Sequence, residues 1–168
     1  MMALIKDRKL VDDQFVYVAD DDQVPDDGPV IVSLAHWQDH GDALISRGEP
    51  VGVRLKSDQH PEAIVDSLEH LDVIALEFPT FRDGRAYSYA RLIRERYGFS
   101  GELRAVGDVL LEQLHYMERV GFNAFDFDSD DPERAFKIAS DDFSIWYQPS
   151  GDDRPNAAQL RQKRKHTD

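Results

Sequence analysis

The chain has 168 residues, 33 of them acidic against 20 basic, for a net charge of −13, and no cysteine. That acidity sets the body of the protein against DNA or RNA as a partner, and the missing cysteine excludes disulfides, thiolate nucleophiles, cysteine-ligated iron–sulfur clusters and a CxxC redox pair. The hydrophobic fraction of 41% suffices for a globular core, and no apolar run approaches the ~20 residues that span a bilayer.

Charge at Lys6, Asp7 and Arg8 comes too early for a secretory signal, so a cytoplasmic protein is expected. Leu4-Ile5 and Leu10-Val11 flank Lys6-Asp7-Arg8-Lys9 as a β-hairpin, and Gln14–Val18 continues the extended pattern. Residues 19–28 form an acidic loop with Asp20, Asp21, Asp22, Asp26 and Asp27. Its carboxylates lack the alternating spacing and terminal Glu of an EF-hand, so it reads as a solvated linker.

From Pro29 strands and helices alternate. Strands are expected at Val30–Leu34, Val51–Leu55, Val73–Phe78, Glu102–Val106 and Ala124–Phe127. Helices are expected at His36–Arg47, Pro61–Leu71, Tyr87–Tyr97, Asp108–Val120 and Pro132–Ala139, with Asp108 and Gly121 as caps of the fourth. A last extended segment falls at Phe143–Tyr147. This rhythm predicts an α/β fold of repeated βα units with a mainly parallel sheet. The units are too few for a full eight-fold barrel, which leaves an open sheet or a partial TIM-barrel-like one, preceded by the hairpin. One domain over residues 1–149 is expected, its first 28 residues being the hairpin and acidic loop, followed by a flexible polar tail over 150–168.

Four strands carry one charge each near the carboxyl end: Arg54, Glu77, Arg104 and Asp126. Parallel strands are normally continuous apolar runs, and a charge inside one is costly unless paired or facing a cleft. Four at similar depth suggest one common layer, either two ion pairs or the floor of a polar pocket. Above it, the loop and helix start from Thr80 to Ser88 add Arg82, Asp83, Arg85 and Ser88. Arginine forks match oxyanions by bidentate hydrogen bonds, and a helix N-terminus favours the same charge. The expected ligand site therefore comprises Arg54, Arg82, Asp83, Arg85, Ser88, Arg104 and Asp108, with Glu77 as the candidate general base. Asp83-Gly84 is also simply a good turn, and Arg91, Arg94 and Arg96 are expected to be solvated or ion-paired. His36 and His40 have metal-compatible spacing but lack the Glu of HExxH, so no metal is expected. No P-loop, GxGxxG, GxSxG or Cys–His pair occurs, so no nucleotide or flavin cofactor is expected.

The run Glu77–Leu92, the run Gly101–Val109 and the run Gly121–Phe125 together resemble the bacterial family called domain of unknown function nine-three-four, over a stretch from Ile5 to about Gln148. The resemblance maps its motif onto Phe81, Asp83, Gly84, Arg85, Ser88, Arg91, Arg104, Gly107 and Asp108, with Tyr89 where many relatives have glutamine. It implies an accessory protein of assimilatory sulfate and sulfite reduction that works with sulfite reductase or another enzyme of that pathway. Members are often labelled oxidoreductases, a label that no thiol or cofactor motif in this chain supports. A small oxyanion-binding protein or enzyme with an arginine-rich pocket at the strand carboxyl ends is the alternative reading, and an oxidoreductase with an unidentified cofactor is a second.

Overall fold

The computed structural model describes residues 2–141; the expected segment at Phe143–Tyr147 and the tail lie outside them. Eight strands form one sheet: β1 (Met2–Lys6), β2 (Lys9–Val11), β3 (Val16–Tyr17), β4 (Val30–Ser33), β5 (Val51–Leu55), β6 (Val73–Phe78), β7 (Glu102–Gly107) and β8 (Ala124–Asp128). Their order is β2-β1-β8-β7-β6-β5-β4-β3. Neighbours from β3 to β8 pair in parallel, and β1 runs antiparallel to both β8 and β2. The expected hairpin is therefore β1–β2, but β3 does not extend it. It lies at the opposite edge, against β4.

Consecutive parallel strands that are also neighbours give a singly wound sheet, because right-handed crossovers then set every connection on one face. Those connections are α1 (Leu34–Ser46), a run of 3₁₀ turns over Pro61–His70, α2 (Arg85–Arg91) continued by a π-helical turn to Arg96, and α3 (Leu111–Val120); α4 (Pro132–Asp141) packs on α3 and β1. The main core lies between sheet and helices. Strand residues that alternate toward it, such as Val30, Val53, Leu76, Leu103 and Phe125, meet Trp37, Leu44, Ile64, Ala90, Ile93, Leu114 and Met117. Strand alternation sends the intervening residues to the other face, where Ile31, Val73, Ala75 and Val106 form a smaller apolar cluster.

That second face is concave. Val11 ends β2 at one edge and Val16 begins β3 at the other, so five residue steps, at most about 18 Å of chain, join the two margins. Laid flat, seven strand spacings would separate them by about 33 Å. The sheet must curl, and it is a half-barrel, the partial barrel of the two expected alternatives. Residues 12–15 cross the open face as a strap; its Phe15, with Tyr17 of β3 just beyond, packs against the smaller apolar cluster.

Three expected elements differ in detail. Leu34 opens α1 instead of closing β4, because Ser33 is extended (φ −69°, ψ 163°) and its hydroxyl accepts from His36 N–H at 3.1 Å, a helix N-cap. Residues 61–70 wind as 3₁₀ turns, which share the apolar spacing of an α-helix. Asp108 does not cap α3, which starts three residues later after Leu110. Gly121 does close that helix, at φ 118°, with Phe122 N–H returning to the Met117 carbonyl. Among the described residues no helix is long and apolar enough to cross a membrane.

Candidate functional site

Pairing fixes the depth of the four strand charges. Arg54 and Arg104 flank Ala75 in one row, whereas Glu77 stands two residues further along, opposite Val106, and Asp126 lies two beyond the Ala124 that pairs Arg104. The expected single layer is thus two, cations below and carboxylates above, all on the concave face. The reason is register, which residue spacing within each strand does not reveal.

On one side of the face, Arg54 donates Nε–H to Glu77 Oε2 at 3.1 Å, with Nη2 at 3.0 Å from the same oxygen. The Arg54 side chain keeps 42% of its surface exposed, so the pair forms the accessible floor of a pocket of about 410 Å³ at the carboxyl ends of β4, β5 and β6. Tyr17, Asp20, Ser33 and Lys56 complete its polar wall. The Ser33 hydroxyl that caps α1 also donates to Asp20, which carries the acidic loop over the rim. Gln59 Oε1 accepts from Lys56 N–H at 2.8 Å and sets the turn that presents that lysine. The first turn of α1 holds no acidic residue, so the positive end of its dipole meets the pocket, where Asp20 lies at the rim and Glu77 is engaged by Arg54.

On the other side, Arg104 is fully buried. Its Nε–H donates to Glu102 at 2.7 Å, and its two terminal nitrogens donate to the two oxygens of Asp13 at 2.7 and 3.1 Å. Nη1 also reaches the Tyr17 hydroxyl at 3.3 Å, the Phe15 ring lies 5.7 Å from the guanidinium carbon, and Lys6 pairs with Glu102 at 2.9 Å. Burial works against the Arg104 charge, but Asp13, Tyr17 and Glu102 outweigh it and hold its pKa above the ordinary guanidinium value. Burial also raises the pKa of Asp126, a shift that Arg104 opposes and Asp13 reinforces.

An acid whose pKa is raised by folding loses stability as pH climbs from its unfolded value through its folded one. Asp126→Asn should therefore be more heat-stable than the parent at pH 7 and indistinguishable from it near pH 3, where both side chains are neutral; a pair of thermal melts checks this. A gain that persists at low pH would mean that the carboxylate is not the source.

In the loop between β6 and α2 the expected ligand residues bond to one another. Asp83 accepts from Arg85 Nε–H at 3.0 Å, from Nη2 at 2.6 Å and from the Arg85 backbone N–H at 3.1 Å, and these hydrogen bonds hold its pKa well below the ordinary carboxylate range. Arg85 Nη2 also donates to the buried Ser57 hydroxyl at 2.9 Å, while the Tyr89 hydroxyl donates to the Ser57 carbonyl at 3.3 Å. The Arg85 fork is thus engaged by its own loop and by the loop after β5. Arg82 is exposed, 5.4 Å above the Phe81 ring, and Ser88 sits exposed at the middle of α2. None of these four residues lines the pocket on Arg54.

Asp108 accepts from Phe81 N–H at 2.9 Å, and Gln113 Nε2 donates to the Phe81 carbonyl at 2.8 Å, so the loop after β7 and the first turn of α3 together fix the loop after β6. Arg94 is neither solvated nor ion-paired. It ties together the carbonyls of Gly121, Phe99 and Gly101 and the side chain of Asn123. Arg91 does pair with Glu95, at 3.5 Å.

The structure adds Asp13, Phe15, Tyr17, Asp20, Ser33 and Lys56 to the residues around the charged layers. Alternation in Phe15-Val16-Tyr17 was a signal for two residues on one face, but nothing local indicated which face of the sheet they would meet. Among the described residues no group of three or more His, Asp or Glu side chains could hold a metal ion.

No curated protein matches the chain at a significant level. The model of a family described as bacterial protein of unknown function, DUF934, matches residues 52–157, a span that includes Arg54, Glu77, the Asp83–Arg85 loop, Arg104 and Asp108, and the chain belongs to that family.

Proposed function

We propose that this protein binds a small oxyanion at the mouth of its half-barrel and serves assimilatory sulfate and sulfite reduction as an accessory to sulfite reductase. The observation that carries the site is Arg54: it is half-exposed on the pocket floor, oriented by Glu77, and close to Lys56 and the N-terminus of α1. Two cations and a helix terminus converge there as a clamp for a tetrahedral or pyramidal anion. Glu77 contributes chiefly by positioning the guanidinium. Asp20 closes the rim and opposes larger, more highly charged anions. The pathway is carried by the family resemblance, which makes sulfite and sulfate the first ligands to try.

Isothermal titration with sulfite, sulfate and phosphate tests the site. Arg54→Gln should weaken sulfite binding at least tenfold, about 1.4 kcal/mol, whereas Arg85→Ala, whose fork faces Asp83 and Ser57, should bind as the parent does and melt at nearly the same temperature. Binding lost in Arg85→Ala and kept in Arg54→Gln would move the site to the loop.

The accessory role is supported by an aromatic rim beside that loop, where Phe81 and Tyr116 are 43% and 44% exposed and the Tyr87 ring packs against Tyr116 at 5.0 Å with the planes tilted by 59°. Aromatic side chains are enriched where proteins dock. Sulfite reductase should be retained on immobilised parent protein and lost with Phe81→Ala. Equal retention by both would exclude this rim as the contact.

A further inference from the structure

The strap over residues 12–15 is held in an unusual way. Asp12, Asp13 and Gln14 are exposed, and the strap leads into a strand of only two residues at a sheet edge. That strand is anchored by Val16 N–H to the Pro29 carbonyl at 3.0 Å and by Val18 N–H to the Ile31 carbonyl at 2.9 Å. Segments with few ladder bonds and exposed backbone open at low free-energy cost. What holds the strap on the concave face is side-chain chemistry: the Asp13 carboxylate in the Arg104 fork, and the Phe15 and Tyr17 rings on the floor of Ile31, Val73, Ala75 and Val106.

We infer that the strap is a displaceable internal ligand, and that the face beneath it is a binding site for a carboxylate carried on an aromatic or aliphatic body. A guanidinium fork that takes one carboxylate by two parallel hydrogen bonds takes another in the same way, so exchange conserves the charge pairing. With Asp13 withdrawn, the groups facing the fork are Glu102, already shared with Lys6, the Tyr17 hydroxyl, and Asp126, whose carboxyl burial disfavours in its charged form. A buried cation left short of an anion is expensive, which makes lifting the strap unfavourable until a replacement carboxylate arrives. The apolar floor beside the fork selects for a body that fills the space of Phe15. A bare inorganic anion would leave that floor exposed. This site borders the oxyanion pocket on Arg54, sharing Tyr17 and Ile31 with it, but the inference does not rest on that pocket.

Phenylacetate is the probe, with sulfate as the control that lacks an apolar body. Titrated against the full chain, Asp13→Ala and Asp13→Asn should bind phenylacetate at least tenfold more tightly than the parent, with little gain for sulfate. In the parent, rising phenylacetate should speed amide hydrogen exchange at Val16 and Val18. Folded Asp13 variants that bind phenylacetate no better than the parent overturn the inference, as does a gain confined to sulfate. If both variants fail to fold, the parent decides: unchanged exchange at the highest phenylacetate concentration overturns it.

Discussion

Arg104→Ala should be the most damaging single substitution on the concave face. The side chain is fully buried and is the main countercharge of Glu102 and Asp13, whose side chains are 4% and 27% exposed. Removing it leaves buried Glu102 with Lys6 alone, frees Asp13 from its anchor and empties a fully buried volume, a loss of about 3–5 kcal/mol. For a chain of this length each kcal/mol is worth about 2–4 °C of melting temperature, so Tm should fall by about 10 °C or more. Urea denaturation at pH 7 measures the loss directly. Arg104→Lys should fall substantially too, because an ammonium cannot serve Glu102 through one nitrogen and both Asp13 oxygens through two others. A drop under about 1 kcal/mol for Arg104→Ala, the range of an exposed pair, would mean that the strap does not close over this residue.

Gly107→Ala should be nearly as severe through a different mechanism. Gly107 ends β7 opposite Phe78 at φ 92°, and a Cβ there would lie 2.4 Å from the Phe78 carbonyl oxygen. The obstacle is backbone within a ladder, which cannot rotate aside. An unfavourable φ costs about 1–3 kcal/mol and overpacking a similar amount, so a loss of about 2–6 kcal/mol is expected. The disturbance should also spread, because Asp108 N–H donates to that same carbonyl at 2.8 Å and the Asp108 carboxylate holds Phe81. Faster amide exchange at Phe81 in the variant would register this. A variant as stable as the parent would mean that β6 and β7 separate more easily than their pairing implies.

The strand–helix alternation was legible because buried parallel strands are apolar runs of four to six residues separated by helical periodicity. The charges at Arg54, Glu77, Arg104 and Asp126 were legible for the same reason, since each interrupts such a run. Their partners were not. Arg104 meets Asp13 across 91 residues, and no local pattern encodes a strap that crosses the sheet. The sorting into two layers depends on register, a property of strand pairs rather than of single strands. The Asp83–Arg85 loop looked like a clamp because its residue types suit one; its geometry turns the arginine toward its own aspartate, two residues away. Asp108 fitted a helix cap by spacing alone and serves instead to hold a neighbouring loop.

The most direct test of the proposed pocket is a two-dimensional ¹H–¹⁵N NMR titration of the full chain with sulfite. Shifts should concentrate at the amides of Ser33 to His36 and Arg54 to Lys56 and at the Arg54 Nε–H, and saturate along one binding curve. Sulfite that leaves these signals in place while moving those of Asp83 to Ser88, or that moves none, would contradict an oxyanion site at the mouth of the half-barrel.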